Sequence, residues 1–103
     1  MSRGPDSATL LQRALERSAD AAGCAAVVCV LETTRWASAT FVGARHRIAL
    51  TLRDDPPSMI WLAALGEAEL AMRGHLVADI ATLSVTRRDG EAIVALETLT
   101  VET

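Results

Sequence analysis

The sequence predicts an α+β fold in which an N-terminal helix packs on a four-stranded antiparallel sheet with long, strongly bent strands. Three observations support this: apolar residues at helical spacing in 10–22, strict alternation over 40–53, and a C-terminal Asp89-Gly90 turn between two alternating segments. A chain of 103 residues has the size of a single domain, so we assign 1–103 to one unit. We expect residues 1–5 to be disordered.

The first element is an amphipathic helix. Asp6 or Ser7 can cap its N-terminus, and Gly23 can end it in a left-handed conformation. Its apolar positions form a single stripe, so we expect it to lie on one face of the sheet. That stripe consists of Leu10, Leu11, Ala14, Leu15 and Ala22.

The next segment, 25–31, is an apolar run rich in valine. Such a run predicts a strand that is central or covered on both faces, and the polar residues 32–35 then predict a turn. Cys24 and Cys29 are too few and too far apart for a Cys-x-x-Cys redox pair or a zinc site. We therefore expect both thiols to be buried as small hydrophobic groups.

The strand over 40–53 is followed by an abrupt break. From Val42 to Leu52 its even-numbered positions are apolar apart from His46, whereas the odd-numbered ones of the strand carry three arginines, so we expect one buried and one wet face. Asp55 and Pro56 can then open a short apolar helix at 56–65 that ends before Gly66, with a short strand as the alternative.

The C-terminal hairpin carries the most detailed prediction. Asp89-Gly90 favours a two-residue type I′ turn, which places Arg88 opposite Glu91. The same register predicts the pairs Val85–Val94, Leu83–Leu96, Ile80–Leu99 and Ala78–Val101.

The apolar parity changes halfway along both strands of this hairpin. The two halves are therefore expected to bury opposite faces, and a single chain of this size cannot cover both. We predict an interface with a second copy, which makes self-association to a dimer the expected partnership. The predicted interface residues are Ile80, Leu83, Val85, Val94, Leu96 and Leu99.

Composition excludes several classes of protein. With 50% hydrophobic residues, 22% charged residues and a net charge of −3, the chain is neither a disordered acidic tail nor a general nucleic-acid binder. All ten basic residues are arginine, a bias typical of GC-rich, bacterial-like coding. No apolar run reaches the ~20 residues that cross a bilayer, and no secretory leader is recognisable. We therefore expect a cytoplasmic protein.

No catalytic motif stands out in the sequence. A Gly-x-Ser-x-Gly elbow, a His-x-x-x-His metal pair and a Gly-rich phosphate loop are all missing. The leading hypothesis is therefore a small, non-enzymatic interaction or oligomerisation domain that needs no cofactor or metal.

Two other hypotheses remain open. One is a small-molecule binding protein or enzyme with a pocket between helix and sheet, lined by His46 and Trp61. The other is RNA binding through the row of Arg45, Arg47 and Arg53.

Overall fold

The computed structural model describes residues 6–103 and confirms the α+β fold, with one four-stranded antiparallel sheet in the order β1-β2-β4-β3. The expectation of disorder for 1–5 lies outside the described residues. In chain order the elements are α1 (Ser7–Ala21), β1 (Ala26–Ala37), β2 (Val42–Arg53), α2 (Pro56–Ala64), a 3-10 turn (Leu65–Glu67), β3 (His75–Arg88) and β4 (Glu91–Glu102).

Both helices begin at a capping aspartate. The Asp6 carboxylate accepts a hydrogen bond from the Thr9 amide at 2.9 Å, and Asp55 accepts one from the Ser58 amide at 3.0 Å. Gly23 follows α1 with a φ of +78°, the left-handed conformation that the sequence predicts. The short helix predicted at 56–65 is confirmed, and the strand alternative is wrong.

The core lies between the helices and one face of the sheet, which we call the inner face. α1 contributes Leu11 and Leu15, α2 contributes Trp61, and all three are buried. The Trp61 indole donates to Ser18 Oγ at 3.0 Å, which ties α2 to α1. The buried apolar side chains that the sheet adds are Val28, Ala44, Ile48, Leu50, Leu52, Ala92, Val94 and Leu96.

β1 differs from the prediction in two ways. It continues through the polar residues 32–35, which pair with β2 instead of turning, and a bulge at Leu31 shifts the register there. It is also an edge strand with one open face: Val27 is 68% exposed and Cys29 is exposed. The valine-rich run therefore reflects the fit of β-branched residues to a strand and not burial on both faces. Of the two thiols, Cys24 is buried as expected, but the prediction for Cys29 is wrong.

The hairpin turn forms as predicted. Asp89 and Gly90 both have positive φ values, 54° and 78°, as a type I′ turn requires. The pairs Arg88–Glu91 and Val85–Val94 are confirmed.

Beyond Val85 the predicted register is wrong because β3 contains two bulges, at Leu83 and Ala78. Each bulge adds one unpaired residue and moves the following residues of β3 to new partners. The observed pairs are Thr82–Leu96, Ile80–Thr98 and Leu76–Val101.

β4 has no bulge, so its change of parity places apolar side chains on both faces of the sheet. Near the turn, Val94 and Leu96 lie on the inner face. Toward the C-terminus that face carries Thr98 and Thr100, whereas Leu99 takes the opposite side. The inner face thus has an apolar end and a polar end.

Candidate functional site

Two regions could bind something: the open side of the sheet, which we call the outer face, and a cleft at the polar end of the inner face. Within residues 6–103, no helix or loop covers the outer face. Val27, Thr51, Ile93 and Thr86 form one row across its four strands. Val27 is 68% exposed and Ile93 is 45% exposed, so this row presents branched side chains to solvent.

The outer face carries charged residues of both signs. Glu97 Oε2 accepts a hydrogen bond from Arg47 Nε at 3.2 Å, and its other oxygen lies 3.7 Å from Arg45 Nε. By strand parity the face carries four arginines and four acids, so their charges cancel. These are Arg45, Arg47, Arg53 and Arg88 with Glu32, Asp79, Glu91 and Glu97.

One end of the outer face is closed by a tryptophan lying over a glycine. Trp36 is opposite Gly43 in the register, and a Cβ on Gly43 would come within 2.7 Å of the indole ring. The same Cβ would also collide with the Thr100 carbonyl. Only glycine therefore lets the indole lie this close to the sheet.

The cleft opens beside the N-terminus of α1 and has a volume of about 830 Å³. This is within the ~300–1,000 Å³ of small-molecule sites. Its lining residues come from the N-terminus of α1, the C-terminal ends of β1 and β4, the start of β2, and the start of β3 with the residues just before it. They are Asp6, Ser7, Ala8, Leu10, Thr33, Arg35, Gly43, Ala44, Arg73, His75, Thr100 and Glu102.

His46 lies directly behind two of these lining threonines. Its Nδ1 is 2.9 Å from Thr33 Oγ1 and its Nε2 is 2.9 Å from Thr100 Oγ1. Thr100 Oγ1 donates its hydrogen to the Ala44 carbonyl at 3.4 Å, so it must accept from His46 Nε2. Nδ1 of the neutral ring is then an acceptor, and Thr33 donates to it. Neutral His46 therefore satisfies both of its nitrogens.

Burial lowers the pKa of His46, because the charged imidazolium would lose its hydration. The positive charge that His75 can carry lowers this pKa further, and the Asp6 carboxylate raises it. His46 is therefore a neutral part of the core network at neutral pH.

The structure does not bring the two predicted pocket residues into the cleft. His46 has no exposed surface and Trp61 is buried in the core at Ser18, and neither lines the cleft. Thr33, Thr100 and Arg73 were not singled out from the sequence. Along β4 the inner positions change from apolar residues, Val94 and Leu96, to threonines, Thr98 and Thr100. This change is the sequence signal that could have indicated a polar end.

The predicted interface residues are distributed over several environments. Val94 and Leu96 are completely buried in the core of the single chain, so a partner cannot reach them. Ile80 packs against that core, whereas Leu83 and Val85 on β3 are exposed by 47% and 39%. Only Leu99, half-buried, points to the outer face.

Comparison of the chain with protein-family models, curated proteins and solved structures gives no match. Among residues 6–103, no helix combines the length and apolar character needed to cross a membrane. In the same part of the chain, no three His, Cys, Asp or Glu side chains come together in a group that could hold a metal ion.

Proposed function

We propose that the protein is a self-associating, non-enzymatic module in which two copies pack outer face against outer face. The observation that carries the proposal is the solvent-facing row of branched side chains, apolar at Val27 and Ile93 and hydroxyl-bearing at Thr51 and Thr86, set beside charges that cancel within the same face. A two-fold axis through such a face can place the arginines of one copy against the acids of the other.

The size of the outer face suits a stable dimer. Each strand has 12 or 14 residues. At about 3.3 Å per residue and about 4.8 Å between strands, four such strands present a face of roughly 800 Å². Interfaces of standard size bury about 800 Å² per partner. Covering the whole face with a second copy would therefore reach the usual range.

Pairing between strand edges is a less favourable way to associate. Both edge strands are bulged, β1 at Leu31 and β3 at Ala78 and Leu83. Bulges disrupt the regular row of backbone donors and acceptors that a neighbouring strand would need. The geometry thus favours contact between faces.

The balanced charge also bears on RNA binding through Arg45, Arg47 and Arg53. Phosphates are attracted by an excess of positive charge, and Glu97 lies within 3.7 Å of both Arg45 and Arg47. The outer face therefore supports a protein partner better than a nucleic acid.

The thiols support the proposal of a cytoplasmic location. Both cysteines are free and Cys29 is exposed, a combination that suits a reducing compartment.

Light scattering after size exclusion tests the proposal. We expect a particle of twice the chain mass of 10.9 kDa, and Ile93→Lys should convert it to a folded monomer. Ile60→Lys is the matched control, since Ile60 is 69% exposed but lies on α2, away from the outer face. A wild-type monomer, or a dimer that persists in Ile93→Lys, would contradict the proposal.

A further inference from the structure

We propose that the cleft at the polar end of the inner face binds a small zwitterion, a free amino acid. Its ammonium group lies on the floor, formed by Thr33, His75 and Asp6, and its carboxylate at the rim, formed by Arg35 and Arg73. This site is on the opposite side of the sheet from the proposed dimer face, so it does not depend on self-association.

The two threonine hydroxyls at the floor of the cleft use their hydrogens within the protein. Thr33 uses its hydrogen on His46 Nδ1, and Thr100 uses its hydrogen on the Ala44 carbonyl. Thr100 has no exposed surface, so only the exposed Thr33 hydroxyl can reach a ligand, and it presents oxygen lone pairs. A ligand group that contacts it must be a donor.

His75 adds to this acceptor character. Its Nδ1 is 3.0 Å from the Arg73 carbonyl oxygen, which can only accept, so Nδ1 carries the hydrogen. In the neutral ring Nε2 is then an acceptor. The Asp6 carboxylate, also on the lining, supplies negative charge. An ammonium group matches this combination of lone pairs and charge.

The rim carries the opposite chemistry. Arg35 and Arg73 both line the cleft. Arg35 is 3.8 Å from the Glu102 carboxylate, whereas Arg73 takes part in none of the ion pairs formed within residues 6–103. A guanidinium binds a carboxylate through two parallel hydrogen bonds. A ligand with a single charge would use only half of this site, and a zwitterion would use both.

NMR titration of the full chain with the twenty proteinogenic amino acids, in pools, tests the inference. We expect at least one of them to shift the amide signals of Thr33, Ala44 and Thr100 while leaving Ile93 on the outer face unchanged. Its analogues lacking the ammonium or the carboxylate should bind about tenfold more weakly, because each loses one charge-assisted contact.

Two arginine variants provide the matched comparison. Arg73→Ser should weaken binding about tenfold, whereas Arg13→Ser, an exposed position on α1 outside the cleft lining, should not change it. The inference is overturned if no amino acid shifts the cleft signals, if a simple acid or amine binds as tightly, or if both arginine variants behave alike. None of these outcomes bears on the dimer, whose mass is measured separately.

Discussion

The two faces of the sheet are built from the same four strands and differ in what covers them. On β4, Leu96 of the inner face has no exposed surface, whereas Ile93, three residues earlier on the outer face, is 45% exposed. A helix accounts for the first face, and no described part of the chain accounts for the second. A strand such as β4 that carries apolar residues on both faces therefore indicates that a second layer of protein covers the open face, and this layer can come from another chain.

The largest expected effect is a difference in stability between two variants, each with one side chain truncated on one face of the sheet. Leu96→Ala should lower the free energy of unfolding by about 2–5 kcal/mol, because it leaves a cavity in the core. Ile93→Ala should cost much less in the monomer, because Ile93 is 45% exposed there, with a further loss only at protein concentrations where the dimer forms. Chemical denaturation at low and high protein concentration measures both. Equal losses at every concentration would remove the distinction between the faces.

The next effect concerns Gly43, where the Trp36 indole lies close against the backbone of the sheet. Gly43→Ala should destabilise the fold by about 1–3 kcal/mol, because the added Cβ meets the Thr100 carbonyl and the Trp36 ring. Gly66→Ala is the control, since its nearest neighbour would be the Ile80 carbonyl oxygen at 3.6 Å. Thermal unfolding compares the two variants. Similar melting temperatures would show that the indole does not lie against Gly43.

The smallest effect concerns the polar end of the inner face and depends on pH. Because the pKa of His46 is lowered in the fold, the unfolded chain takes up this proton first as the pH falls below about 6.5. The stabilising contribution of neutral His46 is therefore present above that pH and is lost as the pH falls toward the folded pKa. Melting temperatures between neutral pH and pH 5 should decline less in His46→Gln than in the wild type.

His75→Gln keeps His46 and is the control for this pH dependence. This variant should retain most of the decline in melting temperature, although the charge of His75 contributes to the lowered pKa of His46. Identical pH profiles for His46→Gln and the wild type would rule out His46 as the origin.

Elements with local signals could be predicted from the sequence. The caps at Asp6 and Asp55 and the Asp89-Gly90 turn each depend on a few neighbouring residues, and all three form as expected. The bulges at Leu83 and Ala78 could not be read in the same way. Each bulge leaves one residue of β3 unpaired against the unbulged β4, so its position depends on the pairing of two strands and not on a local sequence signal.

The candidate sites were harder to predict for the same reason. His46 was recognised as an unusual residue on an apolar face, but its partners Thr33 and Thr100 lie 13 and 54 residues away in the chain. The cleft forms because the ends of several strands lie together beside α1, and no sequence motif predicts this arrangement. The sequence predicts six interface residues, of which only Leu99 lies on the outer face, whereas Val94 and Leu96 belong to the core.

Thiol labelling tests the central claim, that a second copy covers the outer face, most directly. Cys29 is exposed on this face in the single chain, opposite Ala49, and Cys24 is buried, so one thiol reports on the face and the other on the core. We expect Cys29 to react readily in dilute solution and several-fold more slowly as rising protein concentration forms the dimer, with Cys24 unreactive throughout. A Cys29 reaction rate that does not change with concentration would contradict it.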